Sequence, residues 1–150
     1  MEKKIIKGRV VKVNISKTKG TVKTSVPEVK VLKEFGIESD AHAGFKHRQI
    51  SLLAIESINK MNDDKEKFKP GDFAENITTE GISLNVLPLG TKIKIGNDVI
   101  LEVTQIGKEC HTRCDIFNKV GTCIMPTEGI FTRVISGGDI KENDPINIEL

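Results

Sequence analysis

Short runs of alternating apolar and polar residues, separated by turn-forming residues, recur along this 150-residue chain. At residues 11–15, three β-branched apolar side chains alternate with Lys and Asn, which is the pattern of a strand with one buried face. Two further runs, 91–95 (TKIKI) and 99–103 (VILEV), flank a Gly-Asn-Asp turn and predict a β-hairpin. Such short units restrict the chain to a fold rich in β-structure.

The C-terminal residues predict a second strand pair. The run 130–135 (IFTRVI) is followed by Gly-Gly-Asp at 137–139, and apolar residues then occupy alternate positions of 146–150. Pro145 cannot donate a main-chain hydrogen bond, so the last strand should begin at or after it.

One segment, SLLAIESINKMN, has the spacing of a helix. Leu52, Ile55, Ile58 and Met61 lie near one helical face, and Ser51 is placed to act as the N-cap. Core packing is the ordinary role of such an apolar stripe. Many short strands with one or two short helices predict a mainly β, barrel-like domain.

Composition favours a single domain of residues 1–150. The chain is 37% hydrophobic, enough for one core, and no Gly-, Ser- or Pro-rich linker divides it. The net charge is +2 with both signs interspersed, so we expect no nucleic-acid partner. The N-terminal residues contain only short apolar pairs broken by charged residues and Gly. We therefore expect no secretion signal, no membrane association and a cytoplasmic location.

All three cysteines lie in the stretch GKECHTRCDIFNKVGTC, which begins at Gly107. Three thiols cannot all pair, and disulfide frameworks are typical of secreted chains with an even number of cysteines. A zinc site could use Cys110, His111, Cys114 and Cys123, but structural zinc sites usually have two separate close pairs of ligands. Because this set is compressed, we expect no structural zinc.

Cys110 differs from the other two cysteines in its neighbours. Lys108, His111 and Arg113 flank it, and nearby cations lower the pKa of a thiol and raise its thiolate fraction. These neighbours suggest a reactive thiol, whereas burial is the ordinary role of the other two cysteines.

Two polar loops carry more charged and hydrogen-bonding groups than most turns do. Residues 40–49 (DAHAGFKHRQ) combine two histidines with two basic residues, and residues 70–77 (PGDFAENI) bring Asp, Glu and Asn close together. Either loop could instead be a turn in which Asp or Asn bonds its own backbone.

Four motifs occur in order along the chain: DAHAGFKHRQISLL (40–53), PGDFAEN (70–76), LPLGTKIKIGNDVILEVTQIGKEC (87–110) and GIFTRVISGGDIKENDPI (129–146). Together they resemble the stand-alone MOSC domain, named after the C-terminal domain of molybdenum cofactor sulfurases. The resemblance implies a mainly β, barrel-like MOSC fold with one or two short helices. The family's shared cysteine, five residues after the Gln of the VTQ strand, corresponds to Cys110.

One position departs from the family pattern. The family's Gly-Asp-x-His element is Ser39-Asp40-Ala41-His42 in this chain. Glycine is the residue that adopts positive φ most readily. Ser39 therefore stands at a position for which the resemblance implies a positive φ.

The resemblance also implies a function in molybdenum cofactor chemistry. Family members bind the molybdenum cofactor (molybdopterin) or handle sulfur destined for it, and their cysteine carries sulfane sulfur or ligates molybdenum. Cys110 would take that role here, because both tasks need a deprotonated sulfur. The cofactor ends in a phosphate, for which Arg48, Arg113 and Lys46 are the candidate cations.

Arg48 is the first choice among these cations, and its alternative role is a surface ion pair with Asp40 or Glu75. Three further residues could hydrogen-bond the pterin edge or orient the thiol: His42, Asp72 and Asn76. A turn-stabilising role is at least as open to Asp72.

Two other functions are compatible with the sequence. Some MOSC proteins act as molybdenum-cofactor-dependent reductases for N-hydroxylated compounds. This chain has no set of four cysteines for an iron–sulfur cluster, so it would need an external electron donor. A non-catalytic module that stores or delivers the cofactor is the other function. A sulfurtransferase-like carrier would have a PLP-dependent cysteine desulfurase or a molybdoenzyme as its partner.

Overall fold

The computed structural model describes residues 4–18, 21–41, 43–44, 48–65, 67–107 and 128–150. Within these ranges the chain forms eleven strands, one α-helix and one short 3-10 helix. In chain order the elements are β1 (Ile5–Ile15), β2 (Thr24–Val26), β3 (Glu28–Leu32), β4 (Gly36–Ile37), β5 (Ile50–Ala54), α1 (Ile55–Lys60), β6 (Ile77–Glu80), the 3-10 helix (Leu84–Val86), β7 (Lys92–Ile95), β8 (Val99–Ile106), β9 (Ile130–Ser136), β10 (Gly138–Lys141) and β11 (Pro145–Glu149).

Seven of the strands close into a barrel. Their order is β11-β7-β8-β9-β5-β6-β1, and β1 then pairs with β11 to complete the ring. Neighbouring strands of the ring are antiparallel, except that β5 and β6 are parallel. β2 pairs with β1 outside the ring, and β10, β3 and β4 form a separate sheet. The expected mainly β, barrel-like fold is confirmed.

Apolar side chains fill the barrel and also cover part of its outer wall. The interior cluster includes Val10, Val13, Leu52, Leu101 and Val134, all fully buried. A second cluster lies against the outer faces of β5 and β9, where α1 and the 68–74 turn pack, and it consists of Leu53, Ile58, Phe73 and Phe131. Successive residues of β5 therefore contribute to opposite clusters.

The hairpin and the first strand are confirmed. β7 and β8 are antiparallel with Ile95 opposite Val99, and Gly96 in the turn has φ +64°. The alternating residues 11–15 form the second half of β1, where Val13 is buried in the barrel.

The prediction of a helix that begins at Ser51 is wrong in its first turn. The helix starts at Ile55, after an N-cap at Ala54 that makes no side-chain capping bond, and Ser51 lies in β5. All five residues of β5 are buried because both faces are covered. A strand buried on both faces has no polar alternation, and its continuous apolar run cannot be distinguished from a buried helix by spacing.

The predicted C-terminal strand pair is also corrected. Both strands exist, and the last begins at Pro145 as expected, but they do not pair with each other. β9 lies between β8 and β5, whereas β11 lies between β7 and β1. Gly138 and Asp139 open β10, which pairs with β3. The requirements of barrel closure decide these partners, and they do not follow from sequence proximity.

Gly71 and Gly90 provide a matched test of close packing in this fold. Both have positive φ, at +91° and +87°. A Cβ atom on Gly71 would lie 2.3 Å from the main-chain oxygen of Lys23, whereas a Cβ atom on Gly90 would meet nothing within 4 Å.

Gly90→Ala should therefore lower the free energy of unfolding by about 1 kcal/mol, through backbone strain alone. Gly71→Ala should lower it by about 3 kcal/mol, because a backbone collision adds to the same strain. Urea denaturation of both variants measures the difference. Equal losses would show that a methyl group at position 71 does not collide with the main-chain oxygen of Lys23.

Candidate functional site

Three of the predicted site residues lie in the described part of the chain: Arg48, Asp72 and Asn76. The other four lie outside the described residues: Cys110, His42, Lys46 and Arg113. The cysteine stretch follows directly on β8; its first residue, Gly107, is described, and the chain is described again from Glu128. The described geometry of the candidate site therefore comes from Arg48, Asp72, Asn76 and the residues of β8 up to Gly107.

Arg48 lies on the outer wall of the barrel, two residues before β5. Its guanidinium carbon is 5.6 Å from the centre of the Phe131 ring, within range of a cation–π interaction. Its Nε donates a hydrogen bond to Oε1 of Gln105 at 3.1 Å. Arg48 is half-buried, and it is held by two contacts, one with the Phe131 ring and one with the Gln105 amide.

Gln105 connects Arg48 to the start of the cysteine stretch. Its Nε2 donates a hydrogen bond to the main-chain oxygen of Gly107 at 2.8 Å. The Gly107 N–H in turn donates to the oxygen of Gly129 at 2.7 Å, which brings the two ends of the intervening stretch together. The register of the β8–β9 pairing shifts between Val103 and Gln105, so Gln105 is the first paired residue after the irregularity. In the sequence this Gln serves only to locate the cysteine, and no local pattern indicates its contacts.

The other arginines in the described residues are paired with carboxylates. Arg9 donates to Glu80 at 2.8 Å. Arg133, on β9, bonds Glu102 at 2.9 Å and Glu34 at 2.7 Å. The hydrogen bond with Glu102 raises the pKa of Arg133. Arg48 differs because its hydrogen bond goes to a neutral amide.

Asn76 is fully buried and links two strands of the barrel wall. Its Oδ1 accepts hydrogen bonds from the Ser51 main-chain N–H at 3.0 Å and from the Ser51 hydroxyl at 3.2 Å. Its Nδ2 donates to the main-chain oxygen of Asn14 at 3.2 Å. These contacts give Asn76 a structural role between β5 and β1, and its contact with a ligand stays a prediction.

Asp72 stabilises a turn. One carboxylate oxygen accepts from the main-chain N–H of Lys69 at 2.9 Å, and the other accepts from the Lys69 ammonium at 3.0 Å. This is the turn-stabilising alternative that the sequence left open. A ligand contact by Asp72 stays a prediction.

A buried ion pair that sequence analysis missed holds the start of the 40–49 loop. The ammonium of Lys23 lies 2.8 Å from Oδ1 of Asp40, and neither side chain is exposed. Oδ1 also accepts from the main-chain N–H of Ser16 at 3.1 Å. Seventeen residues separate the two partners, and no local pattern predicts the pairing. The expected positive φ at Ser39 is confirmed, with a value of +74°.

Sequence comparison decides the family. The MOSC domain matches residues 39–147, which is more than two thirds of the chain. The chain belongs to the MOSC domain family. No curated protein matches it in sequence.

Solved structures share the fold of this MOSC domain. The YuaD protein of Bacillus subtilis superposes with a TM-score of 0.81 at 19% identity, covering 99% of this chain and 98% of that one. YiiM from Geobacillus stearothermophilus gives 0.73 at 22% identity, covering 94% and 74%. YiiM from Escherichia coli gives 0.64 at 17% identity, covering 93% and 69%.

Among the described residues of the MOSC domain, no three His, Cys, Asp or Glu side chains are grouped so that they could hold a metal ion. The four residues considered for zinc lie outside those ranges, so the expectation of no structural zinc stays a prediction. No helix in the described part of the chain is both long and apolar enough to cross a membrane.

Glu75, one of the polar residues of the 70–77 loop and an alternative partner for Arg48, is a buried acid. It is fully buried, and its Oε2 accepts from the Gly71 N–H at 3.0 Å and the Thr78 hydroxyl at 2.7 Å. Its Oε1 has no hydrogen-bond partner among the described residues. Burial raises the pKa of Glu75 to about 7, against the opposing effect of these hydrogen bonds.

Glu75→Gln should remove a pH dependence from the stability of the MOSC domain. A carboxyl group with a raised pKa binds its proton more tightly in the folded state. Its stabilising contribution is therefore complete below the unfolded pKa of 4.5 and is lost as the pH rises through about 7. We expect the wild-type free energy of unfolding to fall by about 3 kcal/mol relative to the variant between about pH 4.5 and pH 8. Urea denaturation at each pH measures this, and a constant difference would contradict the assignment.

Proposed function

We propose that this MOSC domain binds the molybdenum cofactor or carries sulfur to it, with Cys110 as the reactive thiol and Arg48 as the phosphate-binding cation. The observation that carries the proposal is the hydrogen-bonded path from Arg48 through Gln105 to Gly107. This path connects the 40–49 loop to the residue from which the cysteine stretch leaves the barrel.

Chain connectivity limits how far Cys110 can be from this path. Three peptide units separate Gly107 from Cys110, and each extends the chain by at most about 3.6 Å, so the two Cα atoms are no more than about 11 Å apart. The carbonyl of Gly107 is bonded to the same amide that bonds Arg48. A single site that includes the thiol and the guanidinium is therefore compatible with the chain.

The state of Arg48 fits a phosphate ligand. Its Nε is occupied by Gln105, and within the described part of the chain its two Nη atoms have no hydrogen-bond or ion-pair partner. The N–H groups on these two nitrogens match two oxygens of a phosphate in a bidentate contact. The alternative of an ion pair with Asp40 or Glu75 has no support, because Asp40 pairs with Lys23 and Glu75 bonds Thr78.

The cofactor, when bound, supplies a molybdenum centre to which a soft sulfur ligand can attach. Arg48 would hold the terminal phosphate, and Lys46 and Arg113 are proposed as further cations for it. His42 is proposed to contact the pterin. Cys110 would then supply the thiolate, either as a carrier of sulfur or as a ligand of the metal.

As a carrier, Cys110 would receive sulfur by thiol–persulfide exchange. Its thiolate would attack the terminal sulfur of a cysteine persulfide on a donor such as a PLP-dependent cysteine desulfurase. A new S–S bond forms at Cys110, the donor's S–S bond breaks, and the donor cysteine leaves as a thiolate. The exchange is redox-neutral and needs no further reagent. A molybdoenzyme is the proposed recipient of the sulfur or of the loaded cofactor.

Purification from a host that makes the cofactor separates the candidate functions. Persulfide on Cys110 supports the carrier. Bound molybdenum and pterin without persulfide support a binding or delivery module. Bound cofactor that turns over N-hydroxylated compounds with an external electron donor supports a reductase. Protein that contains none of these, from a host shown to make the cofactor, would contradict the proposal.

Arg48→Ala should weaken cofactor binding by about 1.5 to 3 kcal/mol, the scale of a charge-assisted hydrogen bond. Arg48→Lys should recover only part of that, because an ammonium group cannot make the bidentate contact. Pterin retained after dialysis measures the effect. Arg9→Ala is the matched control, because it removes an arginine from β1, away from the site. Equal retention in the Arg48→Ala and Arg9→Ala proteins would contradict the role of Arg48.

Cys110→Ser should remove the fastest-reacting thiol, whereas Cys114→Ser and Cys123→Ser should leave it in place. The reason is that Lys108, His111 and Arg113 flank Cys110 in the sequence, and cations close to a thiol favour its thiolate. Reaction of each single variant with a disulfide reagent at graded pH measures the rates. If the fastest phase survived in the Cys110→Ser protein, the thiol would have been wrongly assigned.

A further inference from the structure

Gln105 lies at a point of β8 where the strand is irregular. The β8–β9 register shifts between Val103 and Gln105, so that Val103 lies opposite Thr132 and Gln105 lies opposite Phe131. An irregularity of this kind changes the direction of the side chains that follow it, and such bulges are common next to functional sites. Here it accompanies an amide that bonds Arg48 on one side and Gly107 on the other.

We propose that Gln105 is a positioning residue that holds Arg48 in place for an oxoanion without neutralising its charge. The inference rests on the proposed function of Arg48 as the anion-binding cation. It assigns the orientation of that cation to a residue on a different strand.

The two contacts fix the orientation of the Gln105 amide. A guanidinium group can only donate hydrogen bonds, so the amide oxygen must face Arg48. A main-chain carbonyl can only accept, so the amide nitrogen must face Gly107. Glutamine satisfies both partners at once. An ionised glutamate has no donor for Gly107, and methionine has no polar group strong enough for either contact.

The Gln105 amide is neutral, whereas the other described arginines bond carboxylates. Arg9 and Arg133 have carboxylate partners, which offset their charge. Arg48 is held by Gln105 and by the face of Phe131, and neither group carries a negative charge. Within the described ranges no carboxylate therefore bonds Arg48, and its Nε direction is fixed.

The positions of the two supports leave one edge of the guanidinium for a ligand. Gln105 takes the Nε–H, and the guanidinium carbon lies over the Phe131 ring. The edge formed by Nη1 and Nη2 has no partner within the described ranges, and this edge can donate two parallel hydrogen bonds to an oxoanion. A ligand of this site would therefore present two oxygens on one central atom, as a phosphate or sulfate does.

Sulfate binding and the exchange of the Arg48 Nε–H proton with water test the proposal together. Sulfate is the probe because its charge is constant near neutral pH, and the Nε–H signal is assigned by its loss in Arg48→Ala. The Arg9 Nε–H, which bonds Glu80, is the control signal in the same spectrum. The variants are Gln105→Met, which keeps the length of the side chain, and Gln105→Glu, which keeps an acceptor for Arg48.

Gln105→Met should speed exchange of the Arg48 Nε–H and weaken sulfate binding about 5-fold. Gln105→Glu should keep that proton protected but weaken sulfate binding more, by about 20-fold, because the new carboxylate neutralises the cation. If Gln105 only packed against its neighbours, Gln105→Glu would not protect the Arg48 Nε–H from exchange while weakening sulfate binding. The Arg9 signal should be unchanged throughout.

Unchanged exchange of the Arg48 Nε–H in Gln105→Met would overturn the proposal, as would sulfate affinity in Gln105→Glu equal to that of the wild type. If Arg48→Ala bound sulfate as well as the wild type, the anion-binding role in the proposed function would fail. The exchange measurement would still decide the role of Gln105, because it needs no ligand.

Discussion

Closure of the barrel through the pairing of β1 with β11 is the constraint on which the rest of the structure depends. The pairing joins residues at opposite ends of the sequence, such as Ile5 and Glu149. Loop closure over that separation costs entropy, which the strand hydrogen bonds and the buried core must offset. Closure leaves the ring without an open edge and fixes which residues of β5, β8 and β9 face outward. Arg48, Phe131 and Gln105 consequently meet on one wall of the barrel, although they come from separate parts of the chain.

Electrostatics distinguishes Arg48 from the other described arginines. Arg9 and Arg133 are matched with carboxylates, and the buried ammonium of Lys23 is matched with Asp40. Arg48 is instead supported by an amide and an aromatic ring, which orient a cation but leave its charge available. Such an arrangement contributes little to stability by ion pairing, and we propose that a ligand brings the negative charge.

Much of the fold could be predicted from the sequence, but the contacts of the site could not. Alternation identified strands that are exposed on one face, as at residues 91–95, and failed for β5, which is buried on both faces. Strand partners were set by closure of the ring and had no local signal. The resemblance to MOSC domains predicts a reactive thiol at Cys110, which lies outside the described residues. The bond from Arg48 to Gln105 spans 57 residues and depends on a register shift that no sequence pattern indicates.

We propose above all that the thiol of Cys110 and the guanidinium of Arg48 belong to one site. A nitroxide spin label on Cys110, in a protein with Cys114→Ser and Cys123→Ser, tests it by broadening nearby side-chain NMR signals. Arg9 is the reference because β1 is three strands from β9 in one direction around the ring and four in the other. If Cys110 and Arg48 share a site, the Arg48 Nε–H signal is strongly broadened and the Arg9 signal stays sharp. A sharp Arg48 signal in the labelled protein would show that the two groups lie apart.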